Sequence, residues 1–285
     1  MTAIPFQKMH GLGNDFVIID ERKSPFQIVD QELREQKVRA IAERHTGVGC
    51  DQLIVMRPSR RGDVYMQIFN SDGGEVASCG NATRCVAWLM MKELRKETIL
   101  IETEVAVIPA HLVGKETVQV SMGKPYLKWN EIPLSREEDT LHLSVSRDIL
   151  KDGVAVSMGN PHAVFFVPEP ERIPLTQIGP LLEHDGLFPE RANINVAHVE
   201  TPTHIRLMTW ERGSGLTLAC GTGACATMVA ARRRGLVRKE ATVSMPGGDL
   251  TIRWDGGEKD PDHEVWMTGP VAESFSGELK PEWWV

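Results

Sequence analysis

The chain has 285 residues, of which 41% are hydrophobic and 25% charged, a composition that can supply packed globular cores. A formal net charge of -7 argues against binding to a nucleic-acid backbone, which requires a basic face, and no apolar run is long enough to span a bilayer. The N-terminal residues lack the long apolar core of a secretory signal, so we expect a cytoplasmic protein that has neither nucleic acid nor membrane as a partner.

Apolar, β-branched runs alternate with glycine-rich breaks along the first half of the chain. Residues 8–15 predict a glycine-broken loop that leads into a buried strand over residues 16–20. The glycines of this loop precede a strand, whereas a dinucleotide-binding pattern follows one, so we reject that site. A surface helix is predicted over residues 30–44, with strands over 53–55 and 64–69 and several short strands between 99 and 122.

The second half repeats this plan after a charged, Pro-rich stretch, residues 124–139, that is typical of a linker or a sheet edge. A strand over 163–167, a surface helix over 176–184 and strands after residue 193 and over 204–210 follow in the same order. We predict an N-terminal domain of residues 1–123 plus 269–285 that carries Cys79. The C-terminal domain of residues 124–268 then carries Cys220.

Cys79 and Cys220 each stand with small residues just before an apolar run, which is typical of a thiol at a helix N-terminus. The separation of these two cysteines along the chain, here called the repeat offset, also aligns Gly80 with Gly221, Gly74 with Gly215, and Gln52 with Asn193. We interpret the alignment as an ancient duplication, with a chance alignment of glycines as the alternative.

The two motif helices are apolar nearly all round, which is typical of buried helices. Together with the many short strands, they predict an α+β fold of two pseudo-symmetric domains. Each domain is expected to be a curved, mostly antiparallel, barrel-like sheet around a central apolar helix. We expect the two helix N-termini to meet across an interdomain cleft that forms the active site.

Five cysteines are an odd number in a chain without an export signal, so a disulfide framework is not expected. The close pairs lack the two-residue spacing of most zinc sites, and no histidine lies beside them. We expect Cys50, Cys85 and Cys225 to be core residues. Residues 232–234 predict cations in the last helical turn before Gly235.

A helix N-terminus presents unpaired N–H groups and partial positive charge, which bind a carboxylate and lower the pKa of a nearby thiol. Two acidified thiols around one carboxylate suit proton removal from the adjacent carbon on one face and delivery on the other. This pattern predicts a racemase or epimerase of small amino acids that needs no cofactor and no metal.

Polar side chains that would suit an amino-acid zwitterion stand at predicted strand ends or in loops bordering the expected cleft. They are Asn14, Gln52, Asn70, Asn81, Asn160 and Asn193, with Glu211 and Arg212. Taken singly, each asparagine also fits an ordinary turn, and His162 also fits a surface or capping role.

The sequence resembles the diaminopimelate epimerase family over nearly its whole length. The stretches that carry the resemblance are residues 10–16, 47–53, 69–73, 79–81, 159–162, 191–193, 211–213 and 220–225. The resemblance implies interconversion of LL- and meso-2,6-diaminopimelate, in lysine and peptidoglycan precursor synthesis, with Cys79 and Cys220 as the two bases. It also implies a homodimer.

The resemblance further implies a role for each aligned residue. The amides of Gly80, Asn81, Gly221 and Thr222 hold the reacting carboxylate. Glu211 and the backbone near it hold the reacting amine. The distal amino-acid end is held by Asn14, Asn70, Asn160, Asn193 and Arg212, and Gln52 and His162 support the site.

Three positions depart from the family pattern: Ala82 replaces a glycine, Cys50 a phenylalanine and Leu216 a glutamate. None of these removes a base or a carboxylate donor. Three alternatives remain, namely a proline or hydroxyproline racemase, a non-catalytic amino-acid-binding protein and a thiol-disulfide redox protein. Arg212 argues against the first, because a monocarboxylate has no distal carboxylate for it to bind. The other two leave the acidified thiols unused or lack a Cys-x-x-Cys motif.

Overall fold

A computed structural model describes residues 3–23 and 31–280 of the chain. The chain divides into two compact units, Met1–Val120 with Gly269–Val285, and Ser121–Thr268. Cys79 belongs to the first unit and Cys220 to the second. Within the described ranges, we find no helix that combines the length and the apolar character needed to cross a membrane.

The described residues of the first unit form a sheet and two helices. Its elements are β1 (Ile4–Gly11), β2 (Asn14–Asp20), α1 (Gln31–Ala42), β3 (Gln52–Arg57), β4 (Val64–Asn70), β5 (Glu75–Val76), α2 (Gly80–Leu94), β6 (Thr98–Glu102), β7 (Val107–Gly114), β8 (Thr117–Ser121) and the C-terminal β17 (Ala272–Leu279).

The second unit repeats this order of elements. They are β9 (Val154–Ser157), β10 (Pro161–Phe166), a short 3-10 helix (Pro170–Arg172), α3 (Leu175–Glu183), β11 (Asn193–Thr201), β12 (His204–Glu211), β13 (Gly215–Thr217), α4 (Gly221–Arg233), β14 (Glu240–Met245), β15 (Gly248–Trp254) and β16 (Val265–Pro270).

Strand pairing follows the same plan in both units. β2 pairs in parallel with β3, and β10 with β11, while β3–β4 and β11–β12 are antiparallel. Ile68 faces Val76 between β4 and β5, and Thr209 faces Thr217 at the positions one repeat offset further along. Equal topology and equal register support duplication over a chance alignment of glycines, and the α+β prediction with two similar halves is confirmed.

The motif helices are the central helices of their units, as predicted. α2 packs against β1, β2, β4, β6 and β7, and α4 packs against β9, β10, β11, β12, β14 and β15. Residues 81–88 of α2 and 223–231 of α4 are buried throughout. This burial fixes the position of each helix N-terminus within its unit.

The structure corrects two predictions and leaves part of a third outside the described residues. The expected loop over 8–15 is a tight hairpin between β1 and β2, closed by Leu12 and Gly13 with φ angles of 57° and 85°. The expected linker over 124–139 belongs to the core of the second unit, because Ile132 and Leu134 are buried there. The predicted surface helix over 30–44 is α1, with residue 30 outside the described ranges.

Candidate active site

Cys79 is the residue that caps the N-terminus of α2. Its carbonyl accepts hydrogen bonds from the amide of Thr83 at 2.9 Å and from the hydroxyl of Thr83 at 2.8 Å, so the first turn is well formed. The half-buried thiol lies 3.8 Å from Oδ1 of Asn14, and Nδ2 of Asn81 donates to the same oxygen at 3.2 Å. Three of the predicted site residues therefore meet in the first unit.

A charged cluster under the β1–β2 hairpin orients Asn14. Its Nδ2 donates to Asp51 at 2.9 Å, and because a carboxylate only accepts, Oδ1 must turn to the thiol. Burial opposes ionisation of Asp15, but hydrogen bonds from Arg44 and from Lys8 outweigh it and lower the pKa of that carboxyl. Asp15 is thus an anionic anchor at neutral pH.

The remaining predicted side chains of the first unit, Gln52 and Asn70, form a second pair, and Gly80 is the first residue of α2. Gln52 donates from Nε2 to Oδ1 of Asn70 at 3.0 Å, where β3 begins and β4 ends. Asn81 is the exception to the prediction of strand ends and loops, because it lies buried in the first turn of α2. Its position follows from the motif itself, since the helix begins immediately after Cys79.

Cys220 caps α4 in the second unit and is only 4% exposed. Its sulfur accepts a hydrogen bond from the amide of Gly223 at 3.3 Å and lies 3.6 Å from the hydroxyl of Thr222. Burial, followed by the charge of Glu211, raises the pKa of this thiol well above its usual range, although both hydrogen bonds act in the opposite direction. The prediction of an acidified thiol is therefore wrong for Cys220, because desolvation outweighs the helix terminus.

His162 is completely buried in the second unit, so the surface alternative is wrong. Its Nε2 is 3.0 Å from Oδ1 of Asn160, and Nδ2 of Asn160 donates to the hydroxyl of Thr222 at 3.3 Å. Burial, with a smaller contribution from the charge of Arg212, lowers the pKa of His162 to about 3. The imidazole is therefore neutral at physiological pH.

Glu211 ends strand β12, and Arg212 begins the turn that follows it. The backbone amide of Arg212 donates to Oδ1 of Asn193 at 3.0 Å, and its guanidinium donates to the carbonyl of Glu190 at 2.9 Å. On α3, the buried carboxylate of Glu183 accepts from the indole of Trp210 at 2.7 Å and from the amide of Gly213 at 3.1 Å. Glu183 thus holds the chain on both sides of the Glu211–Arg212 pair.

The other cysteines are core residues, as predicted. Cys50, Cys85 and Cys225 are at most 2% exposed, and burial raises the pKa of Cys50 to about 11 and that of Cys85 to about 12. All five cysteines lie within the described residues, and none of them forms a disulfide there. Among residues 3–23 and 31–280, no three His, Cys, Asp or Glu side chains are grouped as metal ligands would be.

Sequence reasoning missed several residues that hold the site. They are Asp15, Asp51, Glu183, Asn195 and Thr217, the last of which donates to Glu211. Asn195 carried a detectable signal, because it interrupts the apolar strand β11 and aligns with Ile54 at the repeat offset. Glu183 carried none, since a glutamate at the end of a predicted surface helix is ordinary.

Comparison with known proteins assigns these features to a family. The family model for diaminopimelate epimerase matches residues 6–128 and 154–273. A diaminopimelate epimerase of Rhodospirillum centenum is 49% identical over 276 residues, covering 96% of this chain and 91% of the relative. One from Sphingopyxis alaskensis is 50% identical over 273 residues, covering 96% of each chain. The chain belongs to the diaminopimelate epimerase family.

Solved structures extend the likeness of fold beyond that family. A hydroxyproline epimerase from Agrobacterium vitis superposes with a TM-score of 0.70 at 14% identity, covering 99% of this chain and 94% of the other. A probable proline racemase from Agrobacterium radiobacter gives 0.69 at 15% identity, covering 98% and 93%. Identities this low show a shared fold only.

Proposed function

We propose that this chain interconverts LL- and meso-2,6-diaminopimelate by inverting one α-carbon, a step in lysine and peptidoglycan precursor synthesis. Membership of the diaminopimelate epimerase family over nearly the whole chain supports the substrate. The observation that carries the chemistry is the pair of cysteines, Cys79 and Cys220, each of which caps a buried helix in its own unit.

The proposed reaction is a two-base proton transfer in which no atom changes its oxidation state. One thiolate removes the α-proton, so that a C–H bond breaks and an S–H bond forms, and the other thiol delivers its proton to the opposite face of the carbon. The amides of Gly80 and Asn81, with those of Gly221 and Thr222, would bind the carboxylate whose negative charge grows in the transition state. The chain is expected to need no cofactor and no metal.

The raised pKa of Cys220 suggests which thiol starts protonated. A buried thiol next to Glu211 keeps its proton, so we infer that Cys220 is the donor and Cys79 the base in the first turnover. Glu211 is the proposed partner of the reacting ammonium. Once paired with it, the carboxylate would oppose a Cys220 thiolate less strongly, because the added positive charge cancels its field.

The rest of the candidate site is proposed to bind the distal, non-reacting amino-acid end. Asn14, Asn70, Asn160, Asn193 and Arg212 supply its donors and acceptors, with Gln52 and His162 in support. A planar guanidinium binds a carboxylate through two parallel hydrogen bonds, which favours Arg212 as the partner of the distal carboxylate. The hydrogen bond from Asn193 to the backbone of Arg212 supports a shared role for these two residues.

An assay on three substrates tests this function. The protein should change the optical rotation of LL-diaminopimelate and leave L-proline and L-lysine almost unchanged, because neither has a distal carboxylate for Arg212. Activity should survive dialysis against a chelator and treatment with a carbonyl-trapping reagent. Turnover of L-proline at a comparable rate would favour the racemase alternative, and no turnover of any substrate would favour a binding protein.

We also propose a cytoplasmic homodimer that binds only its small amino-acid substrate. The dimer is supported by Phe275 on β17, a large apolar side chain that is 49% exposed. Its ring packs edge to face on that of Phe6, with 6.1 Å between the ring centroids. A groove of about 710 Å³ beside it is lined by Trp88, Met91 and Leu112.

Phe275→Glu should convert a dimer to a monomer in sedimentation equilibrium, whereas Tyr126→Glu, at an exposed side chain of the other unit, should not. A wild-type monomer would contradict the proposal.

A further inference from the structure

The two units differ sharply at three matched buried positions. In the second unit these positions hold Thr209, Asn195 and His162, and in the first unit they hold Ile68, Ile54 and Phe16. Asn195 pairs with Thr209 as Ile54 pairs with Ile68, and His162 pairs with Asn193 as Phe16 pairs with Gln52. All six are at most 3% exposed. Buried polar groups cost free energy that the apolar set avoids, so the polar set needs a reason.

The polar set continues as one string of hydrogen bonds to the thiol. The hydroxyl of Thr209 donates to Oδ1 of Asn195 at 3.1 Å, and Nδ2 of Asn195 lies 3.1 Å from Nδ1 of His162. The bonds from His162 to Asn160 and on to Thr222, described above, complete the path to the sulfur of Cys220. The first unit has only apolar side chains at the equivalent buried positions.

The orientation of the Asn195 amide decides which group donates in each hydrogen bond of this string. Its Nδ2 also lies 3.4 Å from the carbonyl oxygen of Ala163, which can only accept, so the amide nitrogen must be on that side. The same nitrogen therefore donates to Nδ1 of His162. Because Nδ1 accepts, the single proton of the neutral imidazole is on Nε2, and it points to Asn160.

We propose that Asn195 is a positioning residue for the Cys220 thiol. It fixes His162 as the Nε2–H tautomer, and the direction of hydrogen bonding set there continues to the sulfur. Asn160 accepts from His162 and donates to Thr222, which leaves the hydroxyl hydrogen of Thr222 free to donate to a thiolate. The inference rests on the proposed function only for the catalytic role of that thiolate.

The first turn of α4 is built directly on Asn195. A Cβ atom at Gly223 would lie 2.7 Å from Oδ1 of Asn195 and 3.2 Å from the sulfur of Cys220. Asn195 therefore lies directly against the capping turn and is also joined to the sulfur through the string of hydrogen bonds. The charged neighbours are Glu211, which raises the pKa of the thiol, and Arg212, which disfavours an imidazolium.

Nitrogen NMR of ¹⁵N-histidine-labelled protein tests the tautomer directly. The chain has nine histidines, and a spectrum of His162→Gln assigns the signal of interest. We expect an unprotonated Nδ1 and a protonated Nε2 on His162, without titration from about pH 5 to about pH 9. In Asn195→Asp, Nδ1 should gain a proton, because a carboxylate can only accept. A protonated Nδ1 in the wild type, or an unchanged signal in the variant, would overturn the proposal.

Thiol reactivity tests the far end of the string, with Cys79 as the internal control. The two cysteines are modified with methyl methanethiosulfonate across a pH range and separated by peptide mapping. The triple variant H162F/N195I/T209I installs the apolar set of the first unit. We expect the reactivity midpoint of Cys220 to rise by about one pH unit, as for the loss of a hydrogen bond to an anion, while that of Cys79 stays in place.

The outcomes separate a positioning role from a purely structural one. A loosened turn would speed modification of Cys220 at every pH without moving its midpoint, and that result would refute the proposal. Circular dichroism checks that the triple variant is folded, and if it is not, the NMR comparison on Asn195→Asp decides alone. Neither measurement uses turnover. Both can therefore be made even if the protein lacks the proposed epimerase activity, and their results test this inference alone.

Discussion

At Cys220 two physical effects of opposite sign act on one thiol. The helix N-terminus and the amide of Gly223 favour the thiolate, whereas burial and Glu211 favour the thiol. Burial prevails because the sulfur is only 4% exposed and loses nearly all of its hydration. A thiol of this kind is suited to hold a proton until a bound ligand changes its surroundings.

His162 is the residue whose burial should be visible in the pH dependence of stability. Its pKa is about 3 in the folded protein against an ordinary value of 6.5, so between these values the unfolded chain binds a proton that the folded protein does not. Stability is therefore complete above pH 6.5 and falls as pH decreases toward 3, by up to about 1.4 kcal/mol per pH unit. Urea titrations at several pH values measure this slope.

The variant His162→Gln should flatten that slope, since glutamine does not titrate. The matched control is His184→Gln, at an exposed side chain whose ring nitrogen contacts the backbone carbonyl of Pro180, and it should keep the wild-type slope. Equal slopes in the wild type and in both variants would show that His162 does not stay neutral in the folded protein.

The helices α2 and α4 begin with the same motif, but the buried residues at matched positions near their first turns differ. Ala82 in α2 and Gly223 in α4 stand one repeat offset apart, at equivalent positions of the first turn. Ala82 is fully buried in a unit where the buried Ile54 stands at the position matched to Asn195, whereas Gly223 lies against the amide oxygen of Asn195. The departure of Ala82 from the family pattern is therefore compatible with its own unit, and the same residue would not fit in α4.

Gly223→Ala should accordingly damage the second unit. The new methyl group would meet Asn195 at 2.7 Å, so the capping turn must move, at a cost of about 1–3 kcal/mol in the free energy of unfolding. We expect epimerase kcat/KM to fall at least about tenfold, because small displacements of catalytic groups are costly. Ala82→Gly is the control and should lose only about 1 kcal/mol of helix stability. Equal effects of both changes would contradict the assigned contact.

At the scale of the whole molecule, duplication supplies two thiols in equivalent places and then differentiates them. Cys79 is half-buried beside the side-chain oxygen Oδ1 of Asn14, and Cys220 is buried beside the donors Gly223 and Thr222. The donors near Cys220 favour its thiolate, but burial and the charge of Glu211 outweigh them and keep this thiol protonated. The two cysteines thus stand at equivalent positions but differ in burial and in hydrogen-bond partners.

A reaction run in D₂O tests whether both thiols take part. With two bases, the delivered hydrogen originates in solvent, so early product should carry α-deuterium while unreacted substrate remains mostly unlabelled. A single base that shuttles one proton would instead return original hydrogen to the product. Mass spectrometry of separated stereoisomers measures both.

The single-cysteine variants are the matched test of each thiol. Cys79→Ala and Cys220→Ala should each nearly abolish epimerisation, because the missing base cannot be replaced from the wrong face, while Cys85→Ala in the core should keep most of the activity. Each site variant should exchange the α-proton of only one stereoisomer, slowly and with retention. Epimerisation near the wild-type rate in either site variant would remove that cysteine from the mechanism.

The sequence alone determined the parts of this protein that depend on neighbours along the chain. Small residues after a cysteine and an apolar run predict a capped, buried helix, and the recurrence of this motif at the repeat offset predicts two similar halves, because such signals are local or periodic. The motif stretches also sufficed to predict the family. The roles of individual site residues stay predictions, since no comparison tests them.

Tertiary structure alone decided what depends on contacts between distant residues. Hydrogen bonding of β1 to both β2 and β17 makes a strand of a segment whose glycines predict a loop. The high pKa of Cys220 and the string through Asn195 arise from packing between strands and α4, which no local pattern encodes. Desolvation and hydrogen-bond direction depend on all the atoms around a group, and folding brings those atoms together from distant parts of the chain.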